Sequence, residues 1–106
     1  MSQQKVKVYI LANLVINDKD IYHKYEKGFF PILNKHGGEF ITYDNSTKHF
    51  EGTTPIEGRL VIFTFPSTEA ADAWYNDPDY QELSDNRRSS TVLKNLTMVK
   101  SLPQRN

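Results

Sequence analysis

The chain contains no cysteine, which removes disulfide staples, thiolate metal sites and a cysteine nucleophile together. It lacks a charge surplus as well, since 13 Lys and Arg residues balance 13 Asp and Glu residues. Both signs are interspersed, so no field favours polyanions, and neither nucleic acid nor membrane is expected as a partner. Histidine is scarce, and His23, His36 and His49 show neither HxH nor HExxH spacing. On one helix His23 and His36 would lie about 140° apart, too far round to share a metal. A GxSxG elbow is absent too, which leaves Ser67 as a helix cap and not a nucleophile. Gly37-Gly38 has no helix N-terminus after it, so it reads as a helix stop and not a phosphate loop. No cofactor and no metal site is therefore expected. The stretch Val8 to Ile16 is apolar but for Asn13, too short to span a bilayer and without a small-residue cleavage site. It reads as a strand in a cytoplasmic protein. In that setting the triplets Asn45-Ser46-Thr47 and Asn95-Leu96-Thr97 match the glycosylation pattern by chance.

What is present suits one domain over residues 1–106: a 38% apolar share supports one modest core. The stretch from Gly58 to Arg87 organises it. Leu60, Ile62 and Thr64 alternate with Val61, Phe63 and Phe65, so both faces of this strand are mostly apolar. Pro66 ends the strand, Ser67 supplies N-cap chemistry, and Glu69 falls in a first turn where the helix dipole favours it. Ala70, Ala73 and Trp74 at helical spacing would let that helix sit close on a sheet. Asp77-Pro78 starts a further short helix, whose one face carries Tyr80, Leu83, Ser84 and Arg87.

Upstream, residues 6–15 form a strand with Val6, Val8, Ile10, Ala12 and Leu14 on one face and Tyr9, Leu11, Asn13 and Val15 on the other. Asn17 and Asp18 cap a helix of about five turns that ends at His36, with a kink or break expected near Phe29 because Gly28 and Pro31 interrupt it. Glu39 to Tyr43 is a second strand, which Lys48 to Glu51 would resume after a turn. Gly52 to Gly58 is a loop, Leu96 to Leu102 a last strand, and Pro103 to Asn106 a polar tail.

The order is βαββαβ with one added helix, the pattern of a ferredoxin-like α+β fold with an antiparallel sheet and helices on one face. Two-faced strands then carry a consequence. Tyr9 and Leu11, with Val61, Phe63 and Phe65 or the opposite parity, must face away from the helices. An open apolar sheet face is rare on a monomer, so a homodimer packed sheet on sheet is expected.

The residues HGGEFITYD, FEG, PIEGRLVIFTFPSTEAADAWYNDPDYQEL and Arg87 resemble a bacterial family, domain of unknown function thirteen-thirty. The likeness runs from Tyr9 to about Met98. It rests on Gly37-Gly38, Glu51-Gly52, Arg59, Phe65-Pro66-Ser67, Ala73-Trp74-Tyr75, Pro78, Tyr80 and Arg87. The family places an acidic residue just before that phenylalanine; here Thr64 stands there, so any chemistry of that carboxylate would be altered. The resemblance implies a dimeric α/β-barrel, in a superfamily that also holds cofactor-free monooxygenases, lactone isomerases and haem proteins. It implies no single activity.

Candidate site residues follow from residue type and helical count. Arg87, seven residues after Tyr80, shares its face and needs either a carboxylate such as Glu51 or an anionic ligand once desolvated. Arg59, opening the central strand, has the same two readings. Tyr22, Tyr25, Trp74, Tyr75 and Tyr80 form an aromatic set that is core or pocket lining. Asn13 interrupts an apolar strand, as a buried hydrogen-bonding group or as a polar anchor. A pocket between helices and sheet would accordingly draw on Asn13, Tyr22, Trp74, Tyr75 and Arg87, and bind or transform a small organic molecule. The alternative is a non-catalytic dimerisation or interaction module. An RNA-binding domain shares the βαββαβ order, but GRLVIFTF lacks its aromatic signature and the chain has no basic excess.

Overall fold

Valine, isoleucine and aromatic residues without glycine or proline make two long strands, β1 (Val8–Ile16) and β3 (Arg59–Phe65), which pair antiparallel. A computed structural model describes residues 6–103; the tail beyond Pro103 lies outside the described residues. β2 (Glu39–Asp44) and β4 (Thr91–Lys100) flank that pair, giving one antiparallel sheet of order β2-β3-β1-β4. The helices are α1 (Lys19–Lys35) between β1 and β2, then α2 (Thr68–Asn76) and α3 (Pro78–Ser90) between β3 and β4. This is the ferredoxin-like α+β arrangement with one extra helix.

Register settles which strand face is which. Val8, Ile10, Ala12 and Leu14 are buried beside Val61, Phe63 and Phe65, and meet Tyr22, Tyr25, Phe29 and Leu33 of α1, Trp74 of α2 and Tyr80 of α3. Each fully buried large side chain there, such as Trp74, Phe65 or Leu14, contributes on the order of 2 kcal/mol of hydrophobic stabilisation. The pairs Tyr9↔Thr64, Leu11↔Ile62 and Asn13↔Leu60 point the other way. Val61, Phe63 and Phe65 therefore do not join Tyr9 and Leu11 on the outer face, as the first parity considered has it; Leu60 and Ile62 do.

α1 is one continuous helix, so of the kink or break expected near Phe29 the break does not occur. Pro31 is on its exposed side, where the carbonyl deprived of a partner can meet water. Gly28 is there for contact: a Cβ would stand 2.6 Å from Leu83 Cδ1, so glycine lets α3 come close. Gly37 ends the helix at φ +75°, its N–H donating to Asn34 O at 3.1 Å while Gly38 N–H reaches Leu33 O at 2.9 Å. Ser67 Oγ accepts from Ala70 N–H at 3.1 Å, the expected cap. α2 is turned one residue from expectation, with Ala71 and Trp74 buried and Ala73 exposed. Residues 45–58 contain no strand, so Lys48 to Glu51 does not resume β2. β4 begins at Thr91, five residues before the expected Leu96, because its polar start pairs along β1 through a bulge after Asn13.

Candidate functional site

Between α1, α3 and the inner sheet face lies a cavity of about 150 Å³. Helical spacing on α1 delivers Tyr22, Tyr25, Glu26, Phe29 and Phe30; alternation on the sheet delivers Ala12, Leu14, Phe40, Tyr43, Arg59, Val61 and Phe63; β4 adds Leu93 and Leu96. α3 contributes Tyr80 and Arg87. The wall is mostly hydrocarbon and aromatic ring, and its polar groups gather at two corners.

At one corner everything is paired. Arg59 Nη1 donates to Glu26 Oε2 at 3.0 Å, and its Nε donates to Asn45 Oδ1 at 2.7 Å. Its guanidinium also lies over the Tyr43 ring at 4.2 Å and the Tyr22 ring at 5.5 Å. Burial raises the Tyr22 phenol above its ordinary value, with Arg59 opposing.

At the other corner Arg87 is 4% exposed, and no carboxylate pairs with it among the described residues. Its buried Nε has no hydrogen-bond partner there, and its guanidinium lies over the Tyr25 ring, 5.9 Å from the centroid. Glu51, the sequence-level candidate for an ion pair, sits exposed in the loop of residues 45–58 and makes none with Arg87. The end of α3 is nonetheless firmly held. Thr91 Oγ1 donates to Arg87 O at 2.7 Å, and Ser90 O accepts Asn17 N–H at 2.7 Å and Asp18 N–H at 3.2 Å. Beside Arg87, Tyr25 and Tyr80 hydroxyls lie 2.8 Å apart, fully buried. Burial and the neighbouring Tyr80 push the Tyr25 phenol well above its ordinary value, so it stays protonated at neutral pH and can donate.

The five residues singled out in the sequence are thus not all in one place. Tyr22 and Arg87 line the cavity. Asn13 instead donates through Nδ2 to Glu57 O at 2.7 Å and Arg59 O at 3.1 Å, fastening the loop before β3 to β1. Trp74 is packed among Phe63, Phe65 and Tyr80, and with Tyr75 borders a separate, open groove between α2, α3 and β4. Arg87 stands in the wall between groove and cavity. Tyr43, Phe40 and Glu26 were not anticipated; only the pairing of β2 with β3 brings the first two in. Thr64 is buried on the outer face, away from the cavity.

Chemically, the cavity offers one uncancelled cation, a phenol donor and rings. Glu26 is its one carboxylate, and Arg59 holds it. The arrangement can seat an anion and stabilise charge on oxygen.

The antiparallel order β2-β3-β1-β4 with the helices packed on one face defines the class, a ferredoxin-like α+β protein. The chain belongs to the family described as Domain of unknown function (DUF1330), whose model matches residues 7–102. Among solved structures it is similar in fold to a protein of unknown function from Rhodopseudomonas palustris (15% identity, 97% of this chain and 86% of that one, TM-score 0.70). A dimeric ferredoxin-like protein of unknown function from Thermobifida fusca matches at 12% identity, 95% and 94% coverage and TM-score 0.59. A cofactor-independent oxygenase from Streptomyces nogalater matches at 8% identity, 93% and 96% coverage and TM-score 0.58. No curated protein matches by sequence. Among the described residues no helix is long and apolar enough to cross a membrane.

Proposed function

We propose that the protein is a homodimer that binds a small organic anion in the cavity, with Arg87 as its charged contact. The observation that carries this is the buried guanidinium of Arg87 without a counter-ion among the described residues. A desolvated charge of that kind costs several kcal/mol when left alone, and scaffold arginines are normally paired. Arg59 supplies the contrast within the same cavity. Saturable stabilisation in a thermal-shift screen of small aromatic and lactone compounds is the expected result. Silence across the screen from a dimeric protein would leave a dimerisation module instead.

The dimer reading rests on the outer sheet face. Tyr9, Leu11, Leu60 and Ile62 form a band that no helix covers, and Val92 and Val99 beside it are 49% and 46% exposed. A second copy would bury it. Ile62→Lys places a charge in that contact and should yield monomer or aggregate, because an unpaired buried charge costs about 3–5 kcal/mol. Light scattering reads the outcome, and a wild-type mass of 12.3 kDa at micromolar concentration would refute the dimer.

A further inference from the structure

We infer that the ligand carries one ring and one negative charge, a monocarboxylate of about the size of benzoate, held with its ring in the cavity and its carboxylate on Arg87. The inference rests on the pocket reading above and narrows it.

Size comes first. The cavity measures about 150 Å³, and an apolar protein cavity of roughly that volume takes up benzene. One six-membered ring fills it. A second fused ring would have to push aside Phe29 or Phe63, both of which are buried in the core, or Phe30 at the rim. The carboxylate lies at the Arg87 side of the same cavity, where Tyr25 and Tyr80 also line the wall.

Charge follows by counting. The charged side chains of the lining are Arg59, Glu26 and Arg87. Arg59 and Glu26 cancel across 3.0 Å, which leaves one positive charge. The phenols do not alter the count: Tyr25 is held protonated by its burial and so cannot serve as a counter-ion. A neutral ligand would leave Arg87 unpaired, and a dianion would put its second charge among rings or against Glu26. The Tyr25–Tyr80 pair sharpens the preference. Two hydroxyls 2.8 Å apart use one proton between them, and the other is left to donate to an acceptor beside Arg87.

The test is a calorimetric titration of the full chain with benzoate, benzamide, phthalate and 2-naphthoate. Benzoate should bind saturably, and each of the other three at least about tenfold more weakly, the scale of losing one charge-assisted hydrogen bond or of a misfit. Phe30, 44% exposed at the cavity's rim, offers a second reading. Phe30→Ala should shrink the deficit of 2-naphthoate relative to benzoate, and an unchanged deficit would contradict the size argument. Benzamide binding as well as benzoate overturns the charge argument, and phthalate or 2-naphthoate binding as well as benzoate overturns the class. In each of those cases the pocket itself still stands. No saturable binding by any of the four overturns the class and the pocket together.

Discussion

Two corners of this molecule each bury a charged side chain, and they treat it in opposite ways. Asp77, between α2 and α3, is saturated: Oδ1 accepts Asp79 N–H at 2.9 Å, while Oδ2 lies 2.9 Å from Lys35 Nζ and 2.8 Å from His36 Nε2. That carboxylate ends α2, begins α3 and ties both to the C-terminus of α1. Arg87, at the far end of the same α3, has no counter-ion among the described residues. The difference teaches how to sort buried charges. One whose hydrogen-bonding capacity is used up belongs to the scaffold, and one that folding has left wanting a partner is available to a ligand.

The comparison can be broken at the saturated end. Among changes away from the outer sheet face, Asp77→Ala should give the largest fall in melting temperature, since it removes a cap and the shared partner of Lys35 and His36 together. Its hydrogen bonds from His36, Lys35 and Asp79 N–H hold the Asp77 carboxyl well below the usual carboxylate range. A depressed folded value means that the stabilisation is complete above about pH 4, where the unfolded carboxyl ionises, and is lost as pH falls through the lower folded value. Wild type should therefore lose stability in acid more steeply than Asp77→Asn; parallel curves below pH 4 would contradict the assignment. Ser67→Ala comes next, with a loss of about 1 kcal/mol in denaturant unfolding and recovery in Ser67→Asp. The smallest effect belongs to the double change Arg59→Met with Glu26→Gln, which removes the pair without leaving the Glu26 carboxylate uncancelled in the cavity. The ion pair is half-open to solvent and is worth about 1 kcal/mol at most, so stability should drop slightly and benzoate affinity change only a few-fold. A loss of binding there as large as at Arg87 would erase the distinction between the two arginines.

Much of the scaffold was legible in the sequence because its signals are local. Ser67, Asp77-Pro78 and Gly37-Gly38 mark helix ends by chemistry that does not depend on the rest of the chain, and the alternating runs of β1 and β3 name themselves. The failures have a common cause in information that is not local. With both strand faces apolar, alternation could not say whether Phe63 or Ile62 faces the helices; register decides that. Lys48 to Glu51 looked like a strand by residue type but has no neighbour to pair with, whereas the polar Thr91–Asn95 became strand because β1 was beside it.

The site divides the same way. Tyr22 and Arg87 could be picked out by counting turns along a helix. The meeting of Tyr25 with Tyr80, 55 residues apart, could not, nor could the arrival of Tyr43 from β2. Asn13 shows the limit most clearly. A polar residue in an apolar strand must bond to something, and the carbonyls of Glu57 and Arg59 were as good a partner as any ligand.

The central claim is that Arg87 serves a ligand and not the fold, and one paired measurement on Arg87→Lys tests it: a melting temperature without ligand and a benzoate titration with it. Lysine keeps the charge and loses the planar fork. With no ion pair to lose, the variant should melt within about 4 °C of wild type, a shift equivalent to roughly 1 kcal/mol in a domain of this size. It should bind benzoate at least about tenfold more weakly. If Arg87→Lys melts well below wild type while the protein that remains folded binds benzoate normally, Arg87 belongs to the scaffold and the claim is wrong.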